Sequence, residues 1–135
     1  MMPDYSLSTK VTRPYGETVE AVRSALAEQG FGVLTEIDLQ ATLAAKLGVD
    51  VPAQVILGAC RPPLAYQALQ ADPSIAVMLP CNVVVRALDE TTSVVEAFNP
   101  DLMSALSDTP ELRLVAQDAK DRLLAVLAAV TEEKR

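Results

Sequence analysis

"IAVMLPCNVVVRALDETTSVVEAF", residues 75–98, carries the reading that decides the fold. From Ile75 to Leu88 the run is apolar and rich in β-branched residues, which predicts one long strand. Pro80 interrupts it. Proline has no N–H to give to a sheet, so a bulge or an edge position is expected there. Asp89 and Glu90 mark a turn, and Thr92 to Phe98 returns as a second strand. Strands joined this closely form an antiparallel hairpin, since a parallel pair needs a crossover of a dozen residues or more.

Downstream of the hairpin the pattern turns helical. A short turn follows Asn99 and Pro100, and a longer helix is predicted from about Pro110 to Thr131. Its apolar stripe is Leu112, Val115, Ala116, Ala119, Leu123, Val126, Leu127 and Val130. Upstream, Tyr5 to Thr12 alternates Leu7, Thr9 and Val11 against Ser6, Ser8 and Lys10, as a half-buried strand does, and Pro14 ends it. Val19, Val22, Ala25, Leu26 and Gln29 recur at helical spacing between Glu17 and Gln29, with Gly30 as a left-handed stop. Phe31 to Ile37 reads as a second strand. Asp38 then caps a short helix whose stripe is Leu39, Leu43 and Leu47 and which ends at Gly48. Ala53 to Cys60 is a third strand, apolar on both faces towards its end, and Pro62–Pro63 open a helix to about Leu69.

The order is strand, helix, strand, helix, strand, helix, hairpin, long helix. It predicts an α+β two-layer sandwich: a mainly antiparallel sheet covered by helices, the long C-terminal helix among them. With 135 residues and no linker or repeat, residues 1–135 are expected to form one domain, its core spanning about 5–131.

Composition narrows the function. The net charge of −7, with 11 Lys and Arg scattered along the chain, argues against nucleic-acid binding, which rests on cations displacing counterions from phosphates. Histidine is absent. That excludes Ser-His-Asp and Cys-His catalysis and every imidazole metal site. Five dispersed glycines form no phosphate-cradling loop, and no cofactor or metal is expected. The N-terminal stretch has no basic segment followed by an apolar core. The longest apolar run, Leu123 to Val130, is far short of the roughly 20 residues that cross a bilayer. Two cysteines without an export signal imply reduced thiols in the cytoplasm and no membrane partner.

Three stretches, "GFGVLTEIDLQATLAAKLG" from Gly30, "ILGACRPPLAYQAL" from Ile56 and "LPCNVVVR" from Leu79, resemble family 302 of the domains of unknown function, in order and in spacing. The resemblance covers about Ser6 to Val130. It implies an antiparallel sheet backed by helices in the broad TATA-binding-protein-like topology, and proteins of bacteria or archaea that are often dimeric. It implies no activity and no catalytic residue, and the fold does not transfer DNA binding. One departure stands out: Arg61 occupies the place after the first cysteine where the resemblance leads one to expect asparagine.

The chemical question is therefore the pair of cysteines. Cys60 ends a strand just before a helix start, whose free N–H groups and partial positive charge favour a thiolate, and Arg61 adds a cation. Cys81 follows Pro80 and has Asn82 as a polar neighbour. If the two strands are neighbours, Cys60, Arg61, Cys81 and Asn82 form a candidate thiol or ligand site, suited to redox exchange, a small ligand or a soft ion such as Cu(I). The opposing reading is that both cysteines are small core residues, since free cysteine is among the most buried residue types. The spacing is neither C-x-x-C nor a four-ligand zinc set. Other candidates carry less. Glu36 and Asp38 share a strand face, but Asp38 is explained as a cap. Tyr66 could hold its phenol near Cys60, though a tyrosine at a core rim explains it as well. The acidic end, "TEEKR", reads as solvated surface. Two functions follow from different classes: a non-enzymatic, homodimeric binding or interaction module, or a thiol-dependent redox, soft-metal-handling or small enzymatic protein using Cys60 and Cys81.

Overall fold

Five strands alternate with helices along the chain, and the hairpin lies at the middle of the sheet they make. In the computed structural model, which describes residues 4–107 and 109–131, the strands are β1 (Ser6–Val11), β2 (Gly32–Asp38), β3 (Gln54–Cys60), β4 (Cys81–Ala87) and β5 (Ser93–Phe98). The helices are α1 (Tyr15–Glu28), α2 (Leu39–Leu47), α3 (Pro62–Ala71), α4 (Asp101–Leu106) and α5 (Pro110–Thr131). The sheet order is β1-β5-β4-β3-β2, and every neighbouring pair is antiparallel. The α+β class with a helix-covered antiparallel sheet, expected from the sequence, is the fold of the chain.

Strand alternation divides the sheet into two unlike faces. Leu7, Ala97, Val83 and Leu57 lie side by side across four strands, and Thr9, Val95, Val85 and Val55 form the next row. Leu57, Val83, Val85 and Val95 on this face are completely buried. Val22 and Leu26 of α1, with Leu123, Val126 and Val130 of α5, cover them. Each such side chain contributes roughly 1.5–3 kcal/mol on burial. All eight residues of the stripe read along α5 are buried. The N-terminal half of α5 packs elsewhere: Leu112, Val115, Ala116 and Ala119 meet Leu64, Ala68, Ile75 and Met103 in a second cluster beyond the sheet's end.

The long strand expected from Ile75 to Leu88 is corrected. Only Cys81–Ala87 is strand, and Pro73–Met78 is a 3-10 helix. Asp72 starts that helix by accepting the Ser74 N–H at 3.1 Å, with Pro73 in its first turn. A short apolar run such as IAVML fits either state by periodicity, and the capping residues before it decide. Pro80 makes neither bulge nor edge. It stands just before β4, after a cis Leu79–Pro80 bond, and β4 is the central strand. Proline is accommodated there because it precedes the first ladder residue.

Capping follows the sequence closely. Asp38 accepts the Ala41 N–H at 2.9 Å, and Gly30 (φ +85°) and Gly48 (φ +69°) occupy the left-handed region at two helix ends. Asp89 closes the hairpin turn by accepting the Thr91 and Thr92 N–H groups at 2.9 Å each. Hydrogen bonds from Thr92 and Thr91 hold its carboxyl below the usual range. The stripe expected along α2 is not a core stripe. Leu39 and Leu43 are half-buried and Leu47 is 69% exposed, so α2 lies outside both clusters.

Candidate functional site

β3 and β4 are neighbours, which brings the two cysteines to one end of the sheet. Ala59 stands opposite Cys81, so Cys60 is one residue past it, where β3 leaves the sheet for α3. Both line a small cavity of about 30 Å³ between the sheet end and α3, α4 and α5. Its other lining residues include Phe31, Arg61, Leu64, Leu79 and Met103. Strict alternation would put Cys60 on the opposite face from Cys81. Cys60 nevertheless lines the same cavity, close enough for its charge to act on the Cys81 thiol.

The electrostatics differ from the sequence expectation. Burial pushes the Cys60 thiol up, and burial followed by the charge of Cys60 pushes Cys81 to about 11. A thiolate-stabilising helix start does not form, for a structural reason. Pro62 and Pro63 have no N–H, and the next two, Leu64 and Ala65, both donate to the Arg61 carbonyl at 3.0 Å. No donor of that first turn is left for sulfur. Arg61 turns back over Gly30, where an added Cβ would stand 3.0 Å from its Nε. That Nε is buried and has no hydrogen-bond partner.

Asn82 is not brought to this site. It points to the other face of the sheet and is exposed. Tyr66 is also directed outward, 64% exposed and accepting from Gln70 Nε2 at 3.2 Å. Glu36 pairs with Arg23 of α1, and Asp38 is committed to its cap, so the two carboxylates form no acid–base pair. The residues of "TEEKR" beyond Thr131 lie outside the described residues. Sequence reasoning missed Phe31, Leu64 and Met103 as cavity residues. No local pattern marks them, because five separate elements, β3, β4, α3, α4 and α5, meet there.

With this fold and this pair of thiols in place, comparison with known proteins is informative. Residues 7–130 match the domain of unknown function DUF302. The chain belongs to the DUF302 family. A crystal structure of an uncharacterized conserved DUF302 protein from Bacillus stearothermophilus superposes with a TM-score of 0.86 at 28% identity, covering 95% of this chain and 99% of that one. No curated protein matches the sequence.

A second surface of this DUF302 chain has the character of a site. The sheet face away from α1 and α5 has one buried residue, Gly58, among its strand positions. Ile37, Ile56 and Val84 lie side by side on it, and Val94 stands beside Arg86 in the next row. Its charged residues are Lys10, Arg86 and Glu96, and Arg86 Nη1 pairs with Glu96 Oε1 at 2.9 Å. Among the described residues no helix is long and apolar enough to cross a membrane.

Proposed function

We propose that this DUF302 chain is a non-enzymatic interaction module of the cytoplasm that works as a homodimer, joined through the open sheet face. The observation that carries the reading is the cross-strand row Ile37–Ile56–Val84 on a face that no core cluster covers. Charge supports a second copy as the occupant. The molecule carries −7, which opposes self-association over most of its surface. On this face two cations, Lys10 and Arg86, and one anion, Glu96, sum to +1. A two-fold contact would place the same patch against itself, as isologous interfaces do. Five strands at about 4.8 Å spacing and about 20 Å length give a plan area of some 500 Å², which flanking residues such as the exposed Leu34 extend towards the roughly 800 Å² per partner of a standard interface. A reducing compartment suits two cysteines that line one cavity as free thiols. The thiol-enzyme alternative has weaker support, because burial holds both sulfurs protonated near neutrality.

Sedimentation equilibrium tests the reading. At tens of micromolar the protein should run at twice 14.4 kDa. Val84→Lys, which places a charge in the middle of the row, should give a folded monomer. A wild-type monomer at that concentration, or a Val84→Lys dimer as tight as wild type, would overturn it.

A further inference from the structure

We propose that the cavity at the sheet end is a binding site for a monovalent soft metal ion, Cu(I), held by the sulfurs of Cys60, Cys81 and Met103. The chain has four sulfur-bearing side chains among its described residues: Cys60, Met78, Cys81 and Met103. Three of them line this one cavity, and the fourth, Met78, packs against the cluster that forms its wall. The donors come from three separate elements (the end of β3, the start of β4 and α4), so local sequence does not force the convergence.

The chemistry of the donors selects the ion. Thiolate and thioether are soft ligands and favour Cu(I) over harder divalent ions. Zinc would want four ligands, commonly with histidine, and the chain has none. Among the described residues no three of Cys, Asp and Glu come together to complete such a set. The volume of about 30 Å³ takes a single ion and excludes an organic ligand of any size. Binding balances as Cu⁺ plus two Cys–SH giving a bis-thiolate copper unit of charge −1 and two protons. Two S–H bonds break, two Cu–S bonds form, the protons pass to solvent and copper keeps its oxidation state. The remaining −1 lies beside Arg61, whose charge offsets it and whose buried Nε has no other partner. Phe31, Leu64 and Leu79 supply an apolar surround of the kind that limits water at a metal. Cys60 and Arg61 are half-buried, whereas Cys81 and Met103 are buried, so the ion would enter past the first pair. The cavity lies on the helix side, away from the open face, so an ion held there does not depend on a dimer contact.

The test is an anaerobic titration of the reduced full-length protein with Cu(I) against the chromophoric chelator bathocuproine disulfonate. One Cu(I) per chain is expected to be withheld from the chelator. Loss of an inner ligand should exceed the 10–100-fold cost of disturbing a metal's outer partners, so Cys60→Ala is expected to weaken binding by more than about 100-fold. Met103→Leu preserves side-chain volume and should weaken it by about 10-fold while leaving thermal unfolding of the metal-free protein unchanged. X-ray absorption of the loaded wild type should show sulfur alone around copper. If Cys81→Ala fails to fold, Cys60→Ala and Met103→Leu still decide the matter. Wild type withholding no more copper than Cys60→Ala would overturn the proposal. So would nitrogen or oxygen donors in the copper shell, or Zn(II) displacing Cu(I) at equal concentration.

Discussion

Cys81 shows how one buried side chain couples stability to pH. Its pKa is raised from the usual 9.0 to about 11, first by burial and then by Cys60. The native state thus keeps a proton that the unfolded chain gives up sooner. The associated stability is fully present below pH 9 and is lost as pH rises towards 11, by roughly 2–3 kcal/mol. Urea denaturation of wild type and Cys81→Ala from pH 8 to 11 should show the gap between them narrowing by that amount. A constant gap would mean that the thiol is not held in the buried environment described. Gly58 is a second residue whose type is dictated by its neighbours. An added Cβ would overlap Thr35 Oγ1 and stand 2.9 Å from Pro80 Cγ. Gly58→Ala should therefore cost about 1–3 kcal/mol, as overpacking does. Removing the colliding hydroxyl by Thr35→Ala in the same chain should recover part of the loss, a coupling that a double-mutant cycle reads directly. Neither constraint was legible locally. Gly58 reads as an ordinary strand residue until β2 and the Leu79–Pro80 corner are placed over it, and Arg61 reads as a thiol activator until its side chain is seen against Gly30.

Among the elements, those with a long period and clear ends were legible from sequence, and those decided by caps or tertiary neighbours were not. The stripe of α5 is read correctly at all eight positions because 22 residues repeat the pattern many times over. The hairpin of β4 and β5 is read correctly because Asp89 fixes its turn. The run Ile75–Leu79 reads as strand from sequence but is not one, because five apolar residues carry no period of their own. The informative signal was Asp72–Pro73–Ser74, an N-cap followed by proline. In α2 the leucine spacing is helical, yet the helix packs beside β2 and β3 outside both clusters and buries none of its residues fully. The α5 register also gives a quantitative expectation. Leu123 is fully buried against the sheet cluster, so Leu123→Ala should destabilise by about 2–5 kcal/mol in chemical denaturation. Leu124, one position on and 42% exposed, should tolerate the same change within about 0.5 kcal/mol if the register is right.

At the scale of the molecule, α5 is the member that joins two cores. Its first half closes the cluster under α3 and α4, where the thiol cavity lies, and its second half covers the sheet. Polar contacts fix it to both sides: Lys120 Nζ pairs with Asp101 Oδ2 of α4 at 2.6 Å, and Arg122 Nη1 donates to the Gln29 carbonyl at the end of α1 at 3.1 Å. A continuous helix of 22 residues, about 33 Å long, cannot lose one half without exposing the packing of the other, so the two clusters should unfold together. Leu112→Ala and Leu123→Ala test this. Both residues are fully buried, one in each cluster, and at 1.5 Å per residue they stand about 16 Å apart along the axis. At that separation direct coupling is small and independent losses add to within about 0.5 kcal/mol. If the clusters form one cooperative unit, each substitution shifts the same single transition, the denaturant slope is unchanged, and the double variant loses the sum. Two resolved transitions, with Leu112→Ala moving only one of them, would show instead that the cavity-bearing cluster opens by itself while the sheet stays folded.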